Sequence, residues 1–402
     1  MKPIHAVTAF VLLVTGLAGG APAVAGPGRI HGTVITDDGD RYTGVIRWDK
    51  NENFWDDAID ANKTERVWTR DQGEGVDIRI FGLHIVRSGN ARSLRRHARF
   101  SIPFGHLAAL EPGGNDHVRL ELKTGETLTV VQGADLGPRV RSIVVETPEG
   151  TVDLDWGDLG RVEFGAGSGD ADTDRLYGTV ETSVGSFSGF IVWDKDEALA
   201  QDVLDGEDDG RDREIPFGRI RSIESLGHRG SRVTLQSGDV MTLRGTNDVD
   251  DDNRGIGITV EKLGTVLVDW SDFRSVTFAD APPSPAYGDF DGGHPLRGTV
   301  TTESGETLSG AVEWDKDESR SWESLGGSIQ DVDLEIQFAN IARIERVSRY
   351  AAKVVLRDGL EFTLKDSNDV NHLNQGIVVT PDTGEARTVG WDDLVRVEFA
   401  TP

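Results

Sequence analysis

The chain is expected to be an all-β protein of three tandem modules. One short phrase occurs three times, as Trp48-Asp49-Lys50-Asn51-Glu52, Trp193-Asp194-Lys195-Asp196-Glu197 and Trp314-Asp315-Lys316-Asp317-Glu318. Each copy follows a Gly-Thr-Val strand, at Gly32, Gly178 and Gly298, so one unit recurs along the chain. The spacing is regular: Trp193 to Phe217 and Trp314 to Phe338 are both 24 residues, and Phe217 to Trp270 and Phe338 to Trp391 are both 53. Beyond the N-terminus no stretch shows a long 3.6-residue period, whereas short alternating runs broken by glycine abound.

Residues 1–25 have the pattern of a signal peptide. Lys2 gives a positive start, Ala6 to Leu17 is apolar, and Ala23-Val24-Ala25 is a small-x-small cleavage site. That run is too short to span a bilayer, which needs about 20 apolar residues. The modules are then expected at 29–165, 175–279 and 296–402. Gly165 to Asp174 is rich in Gly, Ala and Asp, and Asp280 to Pro295 is rich in Pro and Gly, so both are expected to be exposed linkers.

Composition agrees with export and excludes several functions. Asp and Glu outnumber Lys and Arg by 69 to 42, a formal net charge of −27 that disfavours nucleic acid and anionic membrane surfaces. There is no cysteine, so disulfides, thiolate catalysis and thiolate metal sites are excluded. The expected location is periplasmic or extracellular, with no membrane span after the signal.

Each module carries an internal symmetry. The pattern apolar-x-aromatic-x-x-apolar-x-x-apolar occurs at Ile102 to Leu110, Leu154 to Val162, Ile215 to Ile223, Val268 to Val276, Ile336 to Ile344 and Val389 to Val397. Period two before the aromatic predicts a strand, and the spacing of three after it predicts one 3₁₀ turn before a strand resumes. Hairpins are expected around Thr124-Gly125, Ser237-Gly238 and Asp358-Gly359. The strand, 3₁₀ turn and strand ending resembles the last strands of SH3-like and Sm-like small β-barrels. That resemblance implies two fused barrel halves per module, built of short antiparallel strands, and carries no functional residues. A half-module of about 50 residues is marginal alone, so the two halves are expected to share one core.

The candidate functional residues fall into four groups. Trp48, Trp193 and Trp314 end apolar-alternating strands, where a Trp plugs a core; the competing reading is an exposed platform for sugar rings. The adjacent Asp49, Asp194 and Asp315 are expected to cap the following turn. The acidic loop from Asp194 to Asp209 lacks EF-hand spacing, so no cofactor and no tight Ca²⁺ site is expected there. Gly245-Thr246-Asn247-Asp248-Val249 and Asp366-Ser367-Asn368-Asp369-Val370, each followed by Asn-x-Gly-Ile, suit turns; the first module has Gly133-Ala134-Asp135-Leu136 instead.

The first module also holds an insertion at about 63–99. Trp48 to Phe104 is 56 residues against 24 in the other copies, 32 more. It carries Arg87, Arg92, Arg95, Arg96, His97 and Arg99 beside apolar residues from Ile78 to Val86, and is expected to be a hairpin. Arginine forks hold carboxylates bidentately, which suits an acidic protein partner or the chain's own acids. No His-x-x-x-His pair, Gly-x-Ser-x-Gly elbow or phosphate-binding glycine loop is present. The expected function is therefore non-enzymatic binding or scaffolding through an unidentified protein partner. The alternatives are carbohydrate or Ca²⁺-dependent surface binding, and a hydrolase seated in the insertion.

Overall fold

A computed structural model describes residues 26–49, 51–63, 78–80, 83–85, 99–114, 116–133, 135–168 and 174–401. Alternating apolar residues put these segments into short antiparallel strands, with no α-helix among the described residues. In the second module, pairing runs from Gly264–Val268 through Ile256–Val260, Ser186–Val192, Tyr177–Thr182, Phe273–Phe278, Ile220–Ser225 and Ser231–Leu235 to Val240–Leu243. The hairpin of Val203–Asp208 and Arg211–Pro216 meets the far end through a Glu207–Arg244 bridge. The same order recurs in the first module, from Gly150–Leu154 to Arg99–Pro103, and in the third, from Arg387–Val389 to Val332–Gln337.

This order differs from two fused barrels. The last strand of each module, Leu159–Phe164, Phe273–Phe278 or Leu394–Phe399, inserts between the first strand and the strand after the first 3₁₀ turn. The halves therefore interlock, and the sheets stay open. Insertion sets Val180 opposite Val276 and Val300 opposite Val397, all fully buried in one continuous core. The Gly of each Gly-Thr-Val is fixed by this close approach. A Cβ on Gly32, Gly178 or Gly298 would lie 2.4, 2.4 or 2.6 Å from a carbonyl oxygen of the inserted strand. Five of the six aromatic endings form 3₁₀ turns, at Phe104–His106, Trp156–Asp158, Phe217–Arg219, Phe338–Asn340 and Trp391–Asp393. At Trp270 the chain makes a hydrogen-bonded turn closed on the Asp269 carbonyl.

The modules pack on one another. Edge strand Gly264–Val268 of the second pairs with Val332–Gln337 of the third, Val266 opposite Leu334. Their apolar cores are continuous. Buried Arg175 donates to Asp56 at 2.7 Å and Asp57 at 3.2 Å across the first two modules, its guanidinium between the rings of Phe54 and Phe190.

Residues 280–295 are only partly exposed: Ser284, Gly292 and Gly293 are buried, and Tyr287 and Phe290 are half-buried. They form a strap over the first module, because their two aromatics find an apolar surface there. The Tyr287 hydroxyl donates to the Leu107 carbonyl at 2.8 Å, Lys123 Nζ sits 3.5 Å from the Tyr287 ring centroid, and Phe290 meets the His106 ring edge-on at 5.2 Å. Beyond the strap, Trp322 enters the first module's core against Phe100, ring centroids 5.4 Å apart. Of the other linker, 169–173 lie outside the described residues.

The strap sets a pH dependence. Burial beneath it pushes the His106 ring down from 6.5 to about 4, against the opposing pull of Asp291. Its Nδ1 accepts the Gly292 N–H at 3.2 Å, which a protonated ring cannot do. The unfolded ring binds its proton near 6.5, so the neutral ring's contribution is complete above that pH and disappears as pH falls through about 4. The ring should titrate near 4 by NMR, with the strap loosening in the same range. A midpoint near 6.5 would show that the strap does not cover it.

Candidate functional site

The repeated Trp-Asp phrase builds the same polar cluster in each module. Trp48, Trp193 and Trp314 are fully buried, which removes the sugar platform. Each packs edge-on against the aromatic of the second half, Trp156, Trp270 or Trp391, at 6.2, 6.2 and 6.4 Å. Each indole N–H donates to a backbone carbonyl far along the chain: Asp135 at 2.8 Å, Asp248 at 2.9 Å and Asp369 at 3.0 Å. The side chains of those same aspartates each accept a strand N–H at 2.7 Å, from Asp60, Asp205 and Gly326.

After the Trp the chain turns tightly. Trp and Glu exchange backbone hydrogen bonds, Trp193 N to Glu197 O at 2.7 Å and Glu197 N to Trp193 O at 3.0 Å. The intervening Asp has positive φ, 46° at Asp49, 48° at Asp194 and 46° at Asp315, a conformation Asp tolerates better than most residues. Its carboxylate does not cap this turn, contrary to the local reading. Asp194 instead accepts the Arg254 backbone N–H and, at 2.9 and 2.6 Å, that residue's guanidinium. Asp315 accepts from Gln375 N and Asn368 Nδ2, and Asp49 from Arg141 N. The Asn-x-Gly segments close as side-chain turns, Asn253 Oδ1 accepting from Gly255 N at 3.0 Å and Asn374 Oδ1 from Gly376 N at 2.9 Å.

Two trios of carboxylates result. Asp49, Glu52 and Asp135 each place an oxygen within 4.8 Å of the others, as do Asp194, Glu197 and Asp248. Burial, then the charges of Asp135, Asp57 and Asp49, pushes Glu52 up to about 10. Burial likewise raises Asp135 to about 7, Glu197 to about 8 and Asp248 to about 6. In the third module burial raises Asp315 to about 7 and Asp369 well above its usual value.

Sequence reasoning placed Glu197 only among the residues of the acidic loop, and missed Glu52 and the role of Asp135. A signal existed: the indole partner lies 55 residues after Trp193 and Trp314, and 87 after Trp48, which is 55 plus the 32-residue insertion. Asp135 thus occupies the place of the Asn-Asp aspartates although its neighbour is not Asn. Of the insertion, Ile78–Ile80 and Leu83–Ile85 pair as a hairpin. Arg87, Arg92, Arg95, Arg96 and His97 lie outside the described residues, and Arg99 begins strand Arg99–Pro103.

The second module also carries a polar cleft of about 510 Å³, lined by His228, Asp251, Asn253, Asp269, Ser271 and Arg274. Compared with family models, curated proteins and solved structures, the chain matches none.

Trp193 pins the two halves of its module, so Trp193→Ala should cost about 3–5 kcal/mol in equilibrium urea denaturation. A loss below about 1 kcal/mol would mean that the indole is not part of the core.

Proposed function

We propose that this chain is an exported, non-enzymatic scaffold that associates with a protein partner by strand addition. The observation that supports this reading is the edge pairing of Gly264–Val268 with Val332–Gln337. The corresponding edges elsewhere, Gly150–Leu154 and Arg387–Val389, each pair on one side only among the described residues. An open edge offers a row of N–H and C=O groups to an extended peptide. Gly150-Thr151-Val152 repeats the Gly264-Thr265-Val266 that pairs within the chain.

Carbohydrate binding is less well supported. Among the described residues a single aromatic, Tyr350, stands among the well-exposed large apolar side chains. A hydrolase of the insertion is disfavoured as well, since the second module carries the same buried carboxylates with no insertion. No helix of the described residues is long and apolar enough to cross a membrane.

The test uses the full mature chain as bait in envelope extract. Pairs alternate outward from the turn at Pro148-Glu149, so the Thr151 N–H points away from its neighbouring strand. Proline at an outward edge position removes a donor without disturbing the hairpin. Thr151→Pro should abolish retention of a stoichiometric partner while circular dichroism is unchanged. Retention that survives both this change and its counterpart at the Arg387–Val389 edge would refute strand addition.

A further inference from the structure

Most buried polar groups of the first-module trio have a structural task. Asp49 accepts the Arg141 N–H, and Asp135 accepts the Asp60 N–H at 2.7 Å. Glu52 is different. It is 8% exposed, its Oε2 has no hydrogen-bond partner, and one of its carboxylate oxygens lies within 4.8 Å of an oxygen of Asp49 and of Asp135. A buried carboxylate oxygen without a donor is costly.

The donor set indicates what fits. Three carboxylates converge without nitrogen or sulfur, which suits a hard cation. Oxygens on opposite sides of Ca²⁺ lie about 5 Å apart, the scale of the 4.8 Å spread. Mg²⁺ favours one or two carboxylates with several waters, so three converging carboxylates favour Ca²⁺. Asp49 keeps 14% of its side chain exposed, which leaves an entry path.

We propose that Asp49, Glu52 and Asp135 form a Ca²⁺ site, with Asp194, Glu197 and Asp248 as a weaker second copy. The ranking follows from arginine. In the second module the Arg254 guanidinium grips Asp194 through two nitrogens, Nε at 2.9 Å and Nη2 at 2.6 Å, and already supplies positive charge. In the first, the Arg141 guanidinium reaches the Asp49 carboxylate through Nε only, at 3.3 Å and beside the backbone N–H, while its Nη1 pairs with Asp196 at 3.1 Å and its Nη2 goes to the Asp49 carbonyl and Asn51. The acidic-loop pattern could not reveal this site. Its ligands are a Trp-Asp aspartate, a glutamate three residues on, and an aspartate 87 residues after the Trp.

The test titrates chelator-treated full-length chain with CaCl₂ by calorimetry. A saturable site with a dissociation constant between about 10⁻⁵ and 10⁻³ M is expected. Glu52→Gln should weaken it at least tenfold, whereas Glu197→Gln should leave it intact. No saturation by about 10⁻² M, beyond the weakest extracellular Ca²⁺ modules, would overturn the proposal. Binding unchanged in a folded Glu52→Gln chain would overturn it equally. If that variant does not fold, Mn²⁺ added to wild type decides: selective broadening of the Trp48 indole N–H over that of Trp314 supports the site, and equal or absent broadening refutes it.

Discussion

The hydrogen bond from a buried indole to a carbonyl in the other half of its module is the constraint on which the rest depends. The Trp ends a strand of the first half, and its acceptor carbonyl belongs to the turn that leads into the second. An indole N–H without a partner would be costly in so dry a place, so Trp and acceptor turn must be assembled together. The aspartate that offers the carbonyl also binds a strand N–H through its side chain, which brings a third segment to the same point. Neither half can complete its core without the other, and the inserted last strand is the covalent expression of that dependence.

How much of this was legible in the sequence varies with distance along the chain. Period-two runs reported which faces are buried, so strands, hairpins and the 3₁₀ turns after five of the six aromatics could be located. Alternation does not report which strand lies beside which. Val276 alternates equally well at a barrel seam or between Tyr177–Thr182 and Ile220–Ser225, and only the structure shows the latter. The aspartates of the Trp-Asp phrase failed for a related reason. A local cap is the first expectation for an Asp in a turn, but the donors to Asp194 and Asp315 come from a loop 60 residues downstream.

Composition misled at the strap. Proline and glycine mark 280–295 as a linker, and they do keep it out of regular strands. Two aromatics among them, Tyr287 and Phe290, decide its place instead, because each buries apolar area against the first module. The strap and Trp322 together join the first module to the third, while an edge ladder joins the third to the second. The three units therefore hold together through side chains in one direction and backbone in the other.

The buried acids follow from the same logic. A chain with a net charge of −27 has every reason to keep carboxylates in water. Those of the Trp-Asp cluster are buried nonetheless, and most have a reason: they accept backbone N–H groups from neighbouring strands and loops. Asp135, Asp248 and Asp369 are explained fully in these terms. Glu52 is not, since its Oε2 meets no donor from the backbone or any side chain. Packing alone would be served better there by glutamine, which fills the same volume without the charge. In the first two modules the glutamate of the Trp-Asp phrase converges with two aspartates, and the proposed cation sites rest on that arrangement.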